Sequence, residues 1–120
     1  MSDQPQVVLR YRDGSTQRAT LVQTDIEREV FNIEENGTST EVPFRNLKAV
    51  FFPQTDPDKS LEPAAGSQLA VEFADGEIIR GVAHYNPERN GFFLFPLDRS
   101  KNDKIFVVNS AIMSIEVEKL

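Results

Sequence analysis

The chain has no cysteine, a single histidine, and no apolar run near the roughly 18 residues a helix needs to cross a bilayer. The missing cysteines exclude disulfides and thiolate metal sites, and are usual for a protein of a reducing compartment. Without a second histidine or a Gly-x-Ser-x-Gly elbow, neither a zinc site nor a paired nucleophile and base can be drawn. Gly-rich phosphate loops are also missing. The opening MSDQPQ has no basic region followed by an apolar stretch, so a cytoplasmic location is expected, with no membrane partner. Nowhere do ten consecutive residues keep a helical period. These absences point to an all-β protein that is not an enzyme and carries no cofactor or metal.

Charge narrows the partners. Nineteen acidic against thirteen basic side chains give a net charge of -6 over 120 residues, and the excess is shared evenly by the two halves. Such a surface repels nucleic-acid backbones on average, and there is no basic arm or polybasic patch to reverse that.

What the chain does contain is a pattern that occurs twice. VVLRYRDGSTQRA (7–19) and LAVEFADGEIIRG (69–81) both run an alternating apolar strand into Asp-Gly, then a five-residue strand ending on Ala or Gly. Downstream, VFNIEENG answers FFLFPLDRS, and EVPFRNLKAVFF answers KIFVVNSAIMSIEV. Each copy is about 48 residues, a marginal size for folding alone, so the copies are expected to pack on one another. We read 6–53 and 67–118 as the two units. The linker, 54–66, lies within PQTDPDKSLEPAAGS, which holds three of the seven prolines and suits a helical turn near Lys59 to Glu62 at most.

Each copy reads as five short strands. Val7, Leu9 and Tyr11, like Leu69, Val71 and Phe73, alternate with polar or flanking residues, the period of a strand with one buried face. Asp13-Gly14, and Asp75-Gly76 in the same way, predict a type I′ hairpin turn, with positive φ at both central positions, and Asn36-Gly37 is another turn signal. Ala19 and Leu21 should point inward, and the charged DIERE segment (25–29) should be a loop. Val30 to Ile33 and Glu41 to Phe44 follow, then Leu47, Val50 and Phe52 after a 3₁₀ turn at 45–47. In the second copy Ile78 to Tyr85 is one strand, Phe92 to Phe95 a strand covered on both faces, and 105–108 with 112–117 complete the set. Phe51, Phe52 and Phe92 to Phe95 are expected to join the two copies.

Five short strands, an Asp-Gly after the first and a small residue at the bend of the second resemble the Sm-like or SH3-like small barrel. In the first copy Asp13, Gly14, Ala19 and Asp25 match the Sm motif, with Ala in place of Gly; in the second, Asp75, Gly76 and Gly81 match, and Asn86 falls one residue early. The closing VVNSAIMSI is similar to the end of the bacterial RNA chaperone of that superfamily, with Asn109-Ser110, and Arg45-Asn46 in the first copy, where that family has a basic dipeptide. The resemblance implies two tandem five-stranded barrels packed as a pseudo-dimer. It also implies RNA binding at the strand 2/3 and 4/5 loops, and ring assembly through strand edges. Over nearly its full length the chain also resembles a family of uncharacterised bacterial domains with no assigned activity.

Candidate ligand contacts follow from that barrel. They are Arg12, Asp25, Arg45 and Asn46 in the first copy, and Tyr85, Asn86, Arg89 and Asn109 in the second, which pair aromatic platforms with nearby cations. The bland readings are that aromatics fill the core and arginines solvate strand edges. His84 reads as a surface strand residue, Asp56, Asp58 and Glu62 as a solvated linker, and Asp13 and Asp75 as turn residues. The function expected is a non-catalytic binding or scaffolding module that takes a protein partner or itself; the alternative is an Sm-like RNA binder.

Overall fold

The computed structural model describes residues 5–55, 66–85 and 88–118. Its strands are β1 (Gln6–Tyr11), β2 (Thr16–Asp25), β3 (Val30–Glu35), β4 (Thr38–Pro43), β5 (Leu47–Pro53), β6 (Ser67–Phe73), β7 (Ile78–Ala83), β8 (Gly91–Pro96), β9 (Asn102–Val108) and β10 (Ile112–Val117). Short 3₁₀ turns, Phe44–Asn46 and Asn109–Ala111, join β4 to β5 and β9 to β10. Among the described residues no helix is long and apolar enough to cross a membrane. The expected turn near Lys59 lies outside the described residues.

All ten strands form one antiparallel sheet in the order β10-β6-β7-β8-β9-β5-β1-β2-β3-β4. The first five stand as β5-β1-β2-β3-β4, and the last five keep that order as β10-β6-β7-β8-β9. The all-β class is as expected. The architecture is a single open ladder, and no pairing among the described residues closes either set of five on itself. The two sets meet where β9 pairs with β5, placing Phe106 opposite Val50 and Ile105 opposite Phe51. Both strands are apolar at consecutive positions, so each needs cover on two faces; pairing them edge to edge supplies a continuous apolar surface to bury. Val50, Ile105, Phe106 and Val107 are all buried.

Ring contacts show where the core is anchored. Phe106 packs on Phe31 at 5.2 Å and Phe44 at 5.4 Å in the first half, and on Phe93 at 5.2 Å in the second. Phe52 meets Phe93 across the junction at 5.7 Å, as the paired aromatic strands led us to expect. Within β8, Phe92 and Leu94 are fully covered, whereas Phe93 and Phe95 are partly so.

The bend of the second strand differs between the halves. In β7, a Cβ on Gly81 would collide with the Leu94 side chain and the Phe95 carbonyl, so the close approach needs a residue without one. In β2, Ala19 lies in regular pairing and the irregularity falls between Leu21 and Gln23, where the register slips by one.

Turn chemistry departs from expectation at both Asp-Gly sites. Only Asn36-Gly37 has positive φ at both positions, 53° and 80°. At the first Asp-Gly, Gly14 N–H donates to the Tyr11 carbonyl (3.1 Å) and Tyr11 N–H to Ser15 (2.9 Å), with only Gly14 at positive φ. The pattern is a type I turn closed by a glycine bulge, and Phe73, Gly76 and Glu77 repeat it. Asp13 selects this form by accepting hydrogen bonds from the Ser15 hydroxyl and backbone N–H, which hold its carboxyl below the usual range.

Among the described residues the two outer strands, β4 and β10, each have one side with no paired strand. On β4, Thr38, Ser39, Thr40 and Glu41 are exposed. On β10, Met113 and Val117 are exposed at 60% and 66%. β7 ends at Ala83, so His84 and Tyr85 lie in a connecting loop and not in the expected strand.

Candidate functional site

Where the turn after β6 meets β1 and β5, charged groups from both halves converge. Lys48 lies on β5 with its side chain only 8% exposed. Its ammonium donates to Asp75 at 2.7 Å and to Glu77, and sits 4.8 Å from the centre of the Phe73 ring. Arg10 on β1 donates to both oxygens of Glu77, at 2.9 and 3.0 Å. Burial pushes the Glu77 carboxyl up, but the bonds and charges of Lys48 and Arg10 outweigh it and leave the group below its usual range; the Lys48 bond also lowers Asp75. Asp75 is therefore a turn residue and also part of an inter-half clamp.

The sign of the pH dependence follows. A carboxyl lowered in the folded state contributes stability above its unfolded pKa, and loses it as pH falls through the folded value. Melting temperature, followed by circular dichroism, should hold from neutral pH to about pH 5 and drop below that. Glu77→Gln should flatten the drop. An equally steep drop in that variant would remove the clamp from the account.

Arg12, expected to face a ligand, is spent on structure. Its guanidinium donates to the carbonyls of Leu47 (2.9 Å) and Phe44 (3.3 Å) and to the Ser110 hydroxyl. Asn46 gives its carbonyl to Arg12 N–H (3.0 Å), and Asp25 caps its own turn by accepting from Arg28 N–H (3.0 Å). Arg45 stands exposed on the 3₁₀ turn. None of these four lines the principal cleft. Asn86, like Asp56, Asp58 and Glu62, lies outside the described residues.

The second-half candidates do come together. Tyr85 and Arg89 line a cleft of about 580 Å³ whose floor is Phe92, Phe93 and Phe106. Asn109 braces it from behind, donating to the Arg89 carbonyl through its amide side chain and to the Asn90 carbonyl (2.9 Å) through its backbone. Gly91 lets the loop descend onto the floor: a Cβ there would come within 2.7 Å of the Val107 carbonyl oxygen and closer still to the Phe106 ring. Ile26, from the β2–β3 loop of the other half, forms part of the wall, and its carbonyl accepts from Asn90 (3.3 Å).

The electrostatics of this cleft invert those of the whole protein. Lys104 and Arg89 line it together with His84, and no carboxylate among the described residues does. The Lys104 ammonium lies over Phe93 at 4.6 Å and Phe52 at 5.1 Å, and the Arg99 guanidinium over Phe95 at 5.2 Å. Arg99 is held there by Asp103 at 2.6 Å. Neither Lys104 nor Arg89 has an ion-pair partner among the described residues. No cluster of metal-ligating side chains occurs among them either.

Fold and site together define an all-β protein with an edge-joined, duplicated strand order and an aromatic cleft flanked by Arg89 and Lys104. The chain belongs to DUF6982, a family of unknown function, whose profile matches residues 3–119. No curated protein and no solved structure matches it.

Proposed function

We propose that this protein is a non-catalytic interaction module: two bent five-stranded units, 6–53 and 67–118, joined edge to edge and able to pair with further copies through the edges left over. The observation that carries this reading is the β9–β5 junction. β9 is the fourth strand of its set and β5 the fifth of its own, while the free edges, β4 and β10, are a fourth and a fifth strand again. A β4 laid on the β10 of another copy in the same register would set Glu41 opposite Ile115 and Thr40 opposite Glu116, with no like charges facing. Those residues are more polar than the Val50, Phe51, Ile105 and Phe106 of the internal junction, so the contact between copies is weak and reversible. The sequence supplies none of the usual nucleophile, base or metal sets, which supports a role without catalysis.

A proline substitution tests the edge directly. The two-residue Asn36-Gly37 turn makes Glu35 and Thr38 a hydrogen-bonded pair; alternation then leaves Ser39, Glu41 and Pro43 with backbone groups turned away from β3. Glu41→Pro therefore removes an outward N–H and leaves the β3 pairing intact. Light scattering should show the parent mass climbing above 13.5 kDa with concentration, and the variant staying there. A parent that remains at the mass of one chain at every concentration would sink the assembly reading.

A further inference from the structure

We infer that the cleft between the β7–β8 loop and the β2–β3 loop is a docking site for an acidic peptide segment that carries an apolar anchor side chain. Its walls and floor are largely aromatic, and about 580 Å³ falls within the range that accommodates one or two large side chains. Charge complementarity selects the flanks of that anchor. In a chain of net charge -6, the cleft gathers Arg89, Lys104 and His84 and admits no carboxylate among the described residues. Elsewhere Arg10, Arg28, Lys48, Arg80 and Arg99 each hold a carboxylate of the protein itself. Arg89 and Lys104, like Arg18, Arg45 and Lys101 away from the cleft, have no ion-pair partner among the described residues, and they are the two that line the aromatic cleft.

The ring faces decide between a peptide and a single-stranded nucleic acid. Base stacking needs open aromatic faces. Here Lys104 occupies a face of Phe93, Arg99 occupies a face of Phe95, and Phe92 and Phe106 are buried at 6% and 0% exposure. Among the described lining residues only Tyr85, at 41%, and its neighbour His84 have exposed rings, and Phe92 meets Tyr85 edge-on at 5.3 Å. Two adjacent exposed rings on one loop, with the faces of Phe93 and Phe95 covered by cations, suit one anchor side chain entering between the rings better than a run of stacked bases. Lys104, over Phe93, and Arg89, exposed in the loop, present their N–H groups to flanking carboxylates.

Binding is to be measured by calorimetry with the full chain and three synthetic peptides: EDLFDE, its charge-reversed counterpart KKLFKK, and EDAADE, which lacks the anchor. A short oligouridylate serves as the nucleic-acid probe. EDLFDE should bind at least about tenfold more tightly than the other two peptides and than the RNA. Lys104→Gln and Arg89→Gln should each weaken it about tenfold, the worth of one charge-assisted contact. Lys104 packs on two rings, so its variant is checked for an unchanged melting curve; Arg89, exposed in the loop, keeps the test valid if Lys104→Gln unfolds. Glu41→Pro should bind EDLFDE as the parent does, which separates this site from edge pairing. Equal binding of all three peptides, no effect of Arg89→Gln, or tighter binding of oligouridylate would overturn the proposal.

Discussion

Phe106→Ala is expected to cost about 3–5 kcal/mol and to lower the unfolding midpoint of the entire chain in one step. Large-to-small changes at fully buried aromatic positions lose both transfer free energy and the contacts around the cavity. Phe106 has no exposure, and its ring is shared among Phe31 and Phe44 of one half and Phe93 of the other. The cavity therefore opens on both sides of the β9–β5 junction. Against the 5–15 kcal/mol typical of a domain, a loss of this size leaves a marginal protein. Urea denaturation followed by circular dichroism gives the magnitude. Amide exchange gives the location: β3, which holds Phe31, should lose protection together with β8, which holds Phe93. Protection lost in the second half alone would mean that the halves fold as separate units.

Gly91→Ala is expected to cost about 1–3 kcal/mol, the usual range for an overpacked site. The added methyl meets the Phe106 ring and the backbone oxygen of Val107, and a backbone oxygen in a paired strand cannot move without disturbing the β8–β9 ladder. The same methyl raises the end of the β7–β8 loop, so Tyr85 and Arg89 shift relative to the cleft floor. Denaturation measures the first effect. The second would appear as a changed environment of the Tyr85 ring by nuclear magnetic resonance. A variant as stable as the parent, with an unaltered Tyr85 signal, would show that the approach of the loop is looser than the distances indicate.

Much of the strand plan is written in local signals. Val7 and Leu9, and Leu69, Val71 and Phe73, announce buried faces by alternation, and each is buried. Asp-Gly and Asn-Gly mark every hairpin they were read to mark. The turn type is not legible in the dipeptide alone, because Asp13 and Asp75 add side-chain hydrogen bonds that favour a type I turn with a glycine bulge. Edge-to-edge joining is also hidden: consecutive apolar residues in β5 and β9 say that both faces are covered, but not that the two strands cover each other. Lys48 shows the same limit. Its neighbours Leu47, Ala49 and Val50 hide any alternation, and its partners Asp75 and Glu77 lie in the next half.

The cleft divides in the same way. Tyr85, Arg89 and Asn109 can be singled out because aromatic, cationic and amide groups recur near loops. Lys104 cannot, since nothing local shows that it will lie across Phe52 and Phe93. Ile26 reaches the wall only because β2 and β3 carry its loop to Asn90, a contact between residues 64 positions apart. Arg12 is the converse case: as a residue beside an Asp-Gly turn it looks available, and the fold gives its donors to the carbonyls of Leu47 and Phe44.

The handover from β9 to β5 also sets an order of events during synthesis. β5 finds β1 as soon as both have been made, but its other side must wait for a strand that emerges about fifty residues later. Until then Val50, Phe51 and Phe52 form an apolar border with unpaired backbone groups, the kind of surface that recruits a neighbouring nascent chain. Closing so long a loop is slow compared with forming a hairpin, so the exposed interval is governed by translation and loop closure together. Chains truncated before β9 should accordingly gather in the insoluble fraction, whereas the full-length chain seals that border with its own last strands.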